Sequence, residues 1–351
     1  MLGVSEHRVR TSSRLSGPPD PAITFSVVIP TRNRPRRLLA CLESFRRMEY
    51  PADLWELIVV DDGGEQSFAL IPEGLRRGLP LRRLEIRSSG PAAARNAGAK
   101  VASGEYLAFT DDDCLVEPDW LTQLSSGFAG GKWDALGGRS LNPIPEDAGA
   151  TAWHLLIEFL YQYLRDENGN CLLLVANNAA YKREAFESVG GFDPQFPWAA
   201  AEDRDLSFRL YAAKFALGYH PGAKVWHYLE GVSGRRYLTR QFFYGRGGFY
   251  FERNVKQLGA FQVLQSLKGT LPEYHLALWR ALAAARVRPE VRMLLYLGHI
   301  AHRLGVLYQG TALKLGSEWW RRATIPSPVL GSEGSPSDGG TLARDVRDKP
   351  A

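Results

Sequence analysis

Three short apolar runs spaced through the first 110 residues limit the possible folds more than any other feature: FSVVIP at 25–30, ELIVV at 56–60 and EYLAF at 105–109. Runs of this length, rich in β-branched and aromatic residues, read as buried strands. Between them, TRNRPRRLLACLESF places Leu38, Leu42 and Phe45 at helical spacing with Leu39 beside them, and PAAARNAGAKVASG (91–104) is rich in Ala and stops at Gly104. LRRLEIRS (81–88) adds a weaker, alternating strand. Alternation of this kind predicts an α/β Rossmann-like architecture, a mostly parallel sheet with right-handed crossovers and helices on both faces.

Ligands bind such sheets beyond the carboxyl ends of the strands. Here those ends are polar: Thr31 and Asn33 after the first run, Asp61 and Asp62 before the turn-forming Gly63 and Gly64 after the second, and Asp111, Asp112 and Asp113 after the last. Three adjacent carboxylates raise the cost of ionising one another. A solvated loop with Asp side chains capping backbone groups would tolerate them; so would a hard cation, Mg2+ or Mn2+, which takes carboxylate oxygens together with water and substrate phosphates. Their place on the strand rim favours the cation. Other phosphate sites have little support: the chain lacks G-x-x-x-x-G-K followed by Ser or Thr, and no G-x-G-x-x-G follows the first strand.

At 351 residues and 45% apolar content the chain can bury a substantial core. Its first twenty residues contain no apolar run of signal length, and Cys41, Cys114 and Cys171 form no C-x-x-C, which argues against export, a disulfide framework and a thiolate zinc site. The expectation is a cytoplasmic protein. Charge is divided unevenly: residues 231–324 carry fifteen Lys or Arg against four Glu, a surplus of +11, and the remainder of the chain sums to −6.

The stretches SVVIPTRNRPRRLLACLESF, LIVVDDGG, GPAAARNAGAKVASGEYLAFTDDD and NNAAYKREAFESVGGFDPQF, with AEDRDLSFRL after them, resemble in order and spacing a family 2 glycosyltransferase of GT-A fold over roughly residues 24–228. The resemblance implies transfer of a sugar from a nucleotide-diphosphate-sugar donor to an acceptor hydroxyl, with inversion at the anomeric carbon. It implies that Pro30, Thr31 and Asn33 lie beneath the nucleoside, that Asp62 bonds the donor base, and that Arg95 lies near the nucleotide. Asp111 and Asp113 take the outer positions of a D-x-D with Asp112 between them, and Asp113 is the expected direct metal ligand. Growing charge on a diphosphate leaving group gives a cation there a chemical purpose. An imide N–H opposite Asp62 favours a UDP-sugar, although guanine offers an N–H too.

The acceptor hydroxyl must lose its proton, a task for a carboxylate base. In AEDRDLSFRL the family's acidic pair falls on Glu202 and Asp203, with Asp203 the expected base and Glu202 orienting the acceptor or holding Asp203. Acids in a first helical turn are also favoured by the helix dipole alone. His227, in AKVWHYLE, is expected either on the metal or as a packed ring between Trp226 and Tyr228; His220 is a weaker candidate. Asn178, after the apolar run CLLLVA read as a strand, is expected to contact acceptor or sugar or else to form a turn, and Trp198 to stack on a sugar or in the core.

The expected organisation is a tail at 1–23, a catalytic domain at 24–230, a basic, aromatic-rich helical extension at 231–323 and a tail at 324–351. In the extension, Arg235 or Arg236 could close over a diphosphate, and AFQVLQSL, HLALWRALAAARV and VRMLLYLGHIAHRLGVLYQGTALKL have helical spacing without an uncharged stretch long enough to cross a bilayer. Basic, aromatic helices suit a membrane surface, which a lipid-linked acceptor would bring into play on the inner face of the cell membrane; packing on the catalytic domain or on a second subunit uses the same residues. Nucleic acid has no supporting motif. A catalytically inert nucleotide-sugar binder and an aspartate-based phosphohydrolase are the other readings; against the second, Cys114 and Leu115 follow the triplet where such enzymes place Thr or Val.

Overall fold

A computed structural model describes residues 24–64, 67–196, 200–229, 231–259 and 271–314. The apolar runs form β1 (Phe25–Thr31), β2 (Trp55–Asp62), β3 (Leu81–Ile86) and β4 (Tyr106–Thr110). β1 pairs in parallel with β2 and with β4, and β2 in parallel with β3. The register sets Thr31 opposite Asp61, so the polar ends of neighbouring strands share one rim.

β5 (Cys114–Val116), β6 (Ala135–Leu141), β7 (Asn178–Lys182) and β8 (Leu217–His227) complete an eight-stranded sheet in the order β3-β2-β1-β4-β7-β6-β8-β5. This half is mixed. β7 runs antiparallel to β4 and β6, β5 antiparallel to β8, and only β6 and β8 are parallel. Parallel pairings therefore hold a majority of four in seven, all but one of them in the half formed by the three runs and β3.

The helices are α1 (Pro35–Phe45), α2 (Glu73–Arg77), α3 (Pro91–Val101), α4 (Trp120–Phe128), α5 (Ala148–Tyr163), α6 (Arg183–Ser188), α7 (Glu202–Ala212), α8 (Gly234–Gln257), α9 (Leu271–Ala284) and α10 (Pro289–Lys314). Alternate strand residues face opposite layers. Val27, Ile29, Leu57 and Val59 pack on Leu38, Leu42 and Phe45 of α1 and on α4; Val28, Ile58 and Val60 pack on the alanines of α3 and on Leu206 and Leu210 of α7. Each such fully buried side chain contributes about 1.5–3 kcal/mol. α3 and α7, which carry Arg95 and the acidic pair, are thereby pinned to the same face.

CLLLVA is not a strand. Cys171 makes only an isolated antiparallel bridge to Arg165; beyond it Leu172 and Leu173 turn into the cluster with Phe208 and Phe251 while Leu174 turns to the sheet. Its amides bond elsewhere: Leu174 N–H donates to Ser207 Oγ, Val175 N–H to Tyr161 Oη and Ala176 N–H to Asp203 Oδ2. The tails at 1–23 and 324–351, AFQVLQSL and Trp198 lie outside the described residues.

α8, α9 and α10 form the helical extension. α8 lies against α5, α7 and α10, and α8 and α10 cross with backbone against backbone. A Cβ on Gly245 would overlap the carbonyl oxygen of His302, and one on Gly305 that of Phe242. Glycine at both positions is what allows this approach. Replacing Gly245 by Ala gains about 1 kcal/mol of helix propensity but forces the helices apart. The expected net loss is roughly 1–3 kcal/mol, read by denaturant unfolding as an earlier midpoint for the extension's near-UV signal.

Candidate active site

The rim where β1, β2 and β4 end is tied to itself by charge. Arg95, on α3 and buried, donates from Nη2 to Asp111 Oδ1 at 2.7 Å and from Nη1 to Glu202 Oε1 at 3.0 Å. One guanidinium thus joins the aspartate triplet to the first turn of α7. Asp62 sets the position of α3: its Oδ1 accepts from Ser89 N–H at 2.7 Å and its Oδ2 from Gly90 N–H at 2.9 Å, and Gly90 precedes the helix with φ 90°.

Each aspartate of the triplet has its own cation. Asp111 has Arg95. Asp112, wholly buried, accepts from Thr31 Oγ1 at 2.7 Å and pairs with Arg34 at 2.7 Å. Asp113 Oδ2 accepts from Arg34 at 3.2 Å and Arg37 at 3.1 Å. The charge balance expected of a metal is thus largely supplied by three arginines, two of which, Arg34 and Arg37, lie unread in the basic run TRNRPRR. Burial drives the Asp112 carboxyl up to about 7, with Arg34 opposing and Asp113 assisting. Burial also raises Asp113, but His227, Arg34 and Arg37 outweigh it and hold that carboxyl well below the usual range.

Placed this way, Asp112 and Thr31 are buried within the rim and bonded to each other. Pro30 is buried in β1 opposite Val60. Asn33 is exposed with φ 51°, and its backbone N–H donates to Ser67 Oγ. β5 pairs with β8 so that Cys114 lies opposite His227, and Tyr228 N–H donates to the Asp113 carbonyl at 2.9 Å. His227 Nε2 consequently stands 3.5 Å from Asp113 Oδ1, a buried oxygen that makes no closer hydrogen bond. Its ring is packed edge-on to Trp153, with centroids 4.7 Å apart, and lies 5.8 Å from His154. Asp113, Cys114 and His227 bring one ligand atom each within 4.8 Å of one another. The Cys114 thiol, raised well above its ordinary value by burial and then by the Asp113 charge, stays protonated and is a poor partner for a hard ion. His220 bonds Gln123 at 3.2 Å instead.

On the other side of Arg95, α7 begins after Ala201, whose φ of 71° turns the chain into the helix. Glu202 is buried, and burial followed by the Asp203 charge raises its carboxyl to about 7 against the pull of Arg95. Asp203 is more open; its Oδ1 accepts from Arg204 N–H at 2.7 Å and its Oδ2 from Ala176 N–H at 3.3 Å. Burial raises this carboxyl as well, above what the two amides and Arg95 take away. Asp205 is structural, held by Arg209 at 2.7 Å and by Asn254 of α8 at 3.0 Å. α8 also brings Tyr244 close: burial raises its hydroxyl, and Arg240, Trp153, Asp203 and Glu202 all act on it. Arg236 folds back on the Gly231 carbonyl at 3.0 Å.

Asn178 is committed to the fold rather than presented to a sugar. It is fully buried, accepts from Trp120 Nε1 at 2.9 Å and donates to the carbonyls of Arg139 at 3.1 Å and Ala223 at 2.9 Å. Asn178→Ala strands all three partners in the interior. The expected loss is roughly 2–4 kcal/mol by equilibrium unfolding, with turnover per folded molecule little changed.

A second expectation concerns pH. A carboxyl raised in the folded state contributes stability that is complete below its unfolded value and lost as pH rises through the folded one. For Glu202 the window runs from its ordinary value of 4.5 to about 7. Glu202→Gln removes the titration, so its stability deficit against the parent narrows by about 3 kcal/mol between pH 5 and pH 8 in melting experiments. A gap that stays constant over that range would show that Glu202 is not raised.

Known proteins resemble the chain over the region that carries these residues. The model of Glycosyl transferase family 2 matches residues 26–190. Glycosyltransferase AglE of Haloferax volcanii is 26% identical over 204 residues, which cover 56% of this chain and 66% of that protein. The pre-mycofactocin glycosyltransferase of Mycobacterium tuberculosis is 28% identical over 241 residues, covering 66% of this chain and 47% of that one. The chain thus spans less than two thirds of either relative. Among solved structures, the mannosyltransferase PcManGT of Pyrobaculum calidifontis, in complex with GDP-Man and Mn2+, superposes with a TM-score of 0.59 at 19% identity, over 88% of this chain and 85% of that one. The shared fold is GT-A.

Proposed function

We propose that the chain, whose residues 26–190 match the model of Glycosyl transferase family 2 and which is similar to curated glycosyltransferases, is itself a glycosyltransferase that carries out an inverting, metal-assisted transfer in which Asp113 and Asp203 work from the two sides of the Arg95 bridge. The observation that carries this reading is the double contact of buried Arg95 with Asp111 and Glu202, because it sets the cation rim and the acidic pair side by side. The donor is a nucleoside diphosphate sugar. A UDP-sugar is favoured, and the GDP-Man seated in PcManGT makes GDP-sugars the next to test.

The residues fit a divalent ion: Asp113 Oδ1 is a buried oxygen whose nearest polar neighbour is the imidazole of His227, at 3.5 Å. Asp113 and His227 would hold Mg2+ or Mn2+, with Asp111 beside them. Bound there, the ion would supply positive charge where the diphosphate leaves. The protein's own groups do the rest. Asp62 retains lone pairs beyond those given to Ser89 and Gly90 and can accept from the base. Arg34 and Arg37 hold Asp113 in one orientation, and Arg95 does the same for Asp111.

Asp203 suits the base role better than Glu202. Its carboxylate is less buried and bound only by backbone amides, whereas Glu202 is closed off by Arg95. With its carboxyl raised by burial, Asp203 holds a proton more tightly than a free aspartate, which strengthens it as acceptor of the hydroxyl proton at neutral pH. Glu202 and Arg95 fix the start of α7 and so aim it. The acceptor would be a saccharide hydroxyl, carried on a lipid if the enzyme works at a membrane surface.

The test is Asp203→Asn. It should lower transfer or donor hydrolysis by about 10²–10⁴-fold while the melting-temperature rise given by donor with Mn2+ persists. A panel of UDP- and GDP-sugars screened by that rise identifies the donor. Full activity in Asp203→Asn removes the base assignment, and parent protein that binds donor but never transfers or hydrolyses it would be an inert binder.

A further inference from the structure

Among the described residues, ten large apolar side chains are exposed, and eight of them lie on α9 and α10. Five form a single stripe on α10: Met293, Leu297, Ile300, Leu304 and Leu307, with exposures from 39% at Leu297 to 64% at Leu307. Their spacing of four, three, four and three residues keeps them on one face for about 21 Å of helix. The opposite face of α10 is fully used, with Val291, Leu294 and Leu295 in the core shared with α5 and α9, and Gly305 against α8. On α9, His275 stacks on Tyr296 with centroids 6.3 Å apart, which lays the two helices together. Trp279, one turn on from His275, is 58% exposed.

We infer that this face of α9 and α10 lies in the interface of an anionic lipid bilayer. Three observations select that occupant. Between Leu276 and Leu307 the chain carries five arginines, Arg280, Arg286, Arg288, Arg292 and Arg303, against one glutamate, Glu290. That glutamate is already paired with Arg288 at 3.4 Å. A second copy meeting this face about a two-fold axis would bring arginine-rich margins together with little acid to answer them, whereas phosphate headgroups answer them directly. Next, Trp279 has the amphipathic ring that favours the headgroup level. Finally, no helix among the described residues is long and apolar enough to cross a membrane, so the stripe lies along a surface. The sequence after α10 continues with Trp319, Trp320, Arg321 and Arg322, residue types of the same chemistry.

The inference extends the reading of a lipid-carried acceptor and rests on it only for its biological purpose; binding to vesicles requires neither donor nor transfer, so either can fail alone. The full chain is sedimented with vesicles of phosphatidylcholine and with vesicles of an equal mixture of phosphatidylcholine and phosphatidylglycerol. It should pellet with the mixture, release as salt rises, and pellet weakly with phosphatidylcholine alone. Leu297→Glu with Leu304→Glu should reduce partitioning by about tenfold or more. Its circular dichroism and its melting-temperature rise with donor should be those of the parent, since both leucines are exposed. Arg280→Gln with Arg303→Gln should leave weaker binding with a shallower salt dependence. Parent protein that remains in the supernatant with both vesicle types overturns the inference. So does a stable dimer by light scattering that the double leucine variant dissociates while vesicle binding is unaltered, which would assign the stripe to a second copy.

Discussion

Arg95 is a cation taken almost wholly out of water, which is tolerable only because two carboxylates meet it at hydrogen-bond distance. Burial alone would lower its pKa; the charges of Asp111 and Glu202 more than reverse that. Removing one partner from such a pair leaves a charge stranded and commonly costs about 3–5 kcal/mol. The arrangement is therefore stiff. Asp111 belongs to the rim of the parallel half-sheet and Glu202 to a helix more than ninety residues later in the chain, so the same contact that closes the charge balance also fixes how far the two halves of the cleft stand apart. Asp62 is the support behind it, because its two bonds to the backbone at the start of α3 determine where Arg95 begins.

The strand runs, the crossover helices and the acidic rim could be read directly from the chain, since each depends on local periodicity and on residues that end a strand. What could not be read was partnership. DDD looked like a cluster in need of a cation, yet Arg34 and Arg37 were already present 76 to 79 residues upstream, at the start of α1, whose placement beside Asp112 and Asp113 depends on the pairing of β1 with β4. Sequence spacing carries no trace of that. Asp112 and Thr31 bond to each other for the same reason, a partnership that spacing in the chain does not reveal.

CLLLVA shows a different limit. Its composition fits a strand, but a strand needs a neighbour with open amides, and here Ser207, Tyr161 and Asp203 accept those amides first. Asn178, next to it, looked polar and available. In the fold it is the one amide that satisfies an indole and two carbonyls at the meeting of β6, β8 and α4, a demand set wholly by tertiary packing. His227 lay between two readings, ligand or packed ring, and the structure gives it features of both: Trp153 covers the ring, and Nε2 still faces Asp113.

The extension connects the cleft to the outer surface through rigid contacts. Asn254 of α8 bonds Asp205 and Asp193, Tyr244 reaches toward Asp203, and the glycine-tight crossing at Gly245 and Gly305 leaves no room for α8 to slide past α10. Two helices in backbone contact move as one body. A force that orients the outer face of α10, whether bilayer or protein, must then orient the mouth of the cleft with it, because α8 is shared by both. The apolar stripe and the acidic pair are in this sense parts of one geometric problem: how to hold the attacking hydroxyl's side of the site in a fixed relation to the surface from which the acceptor comes.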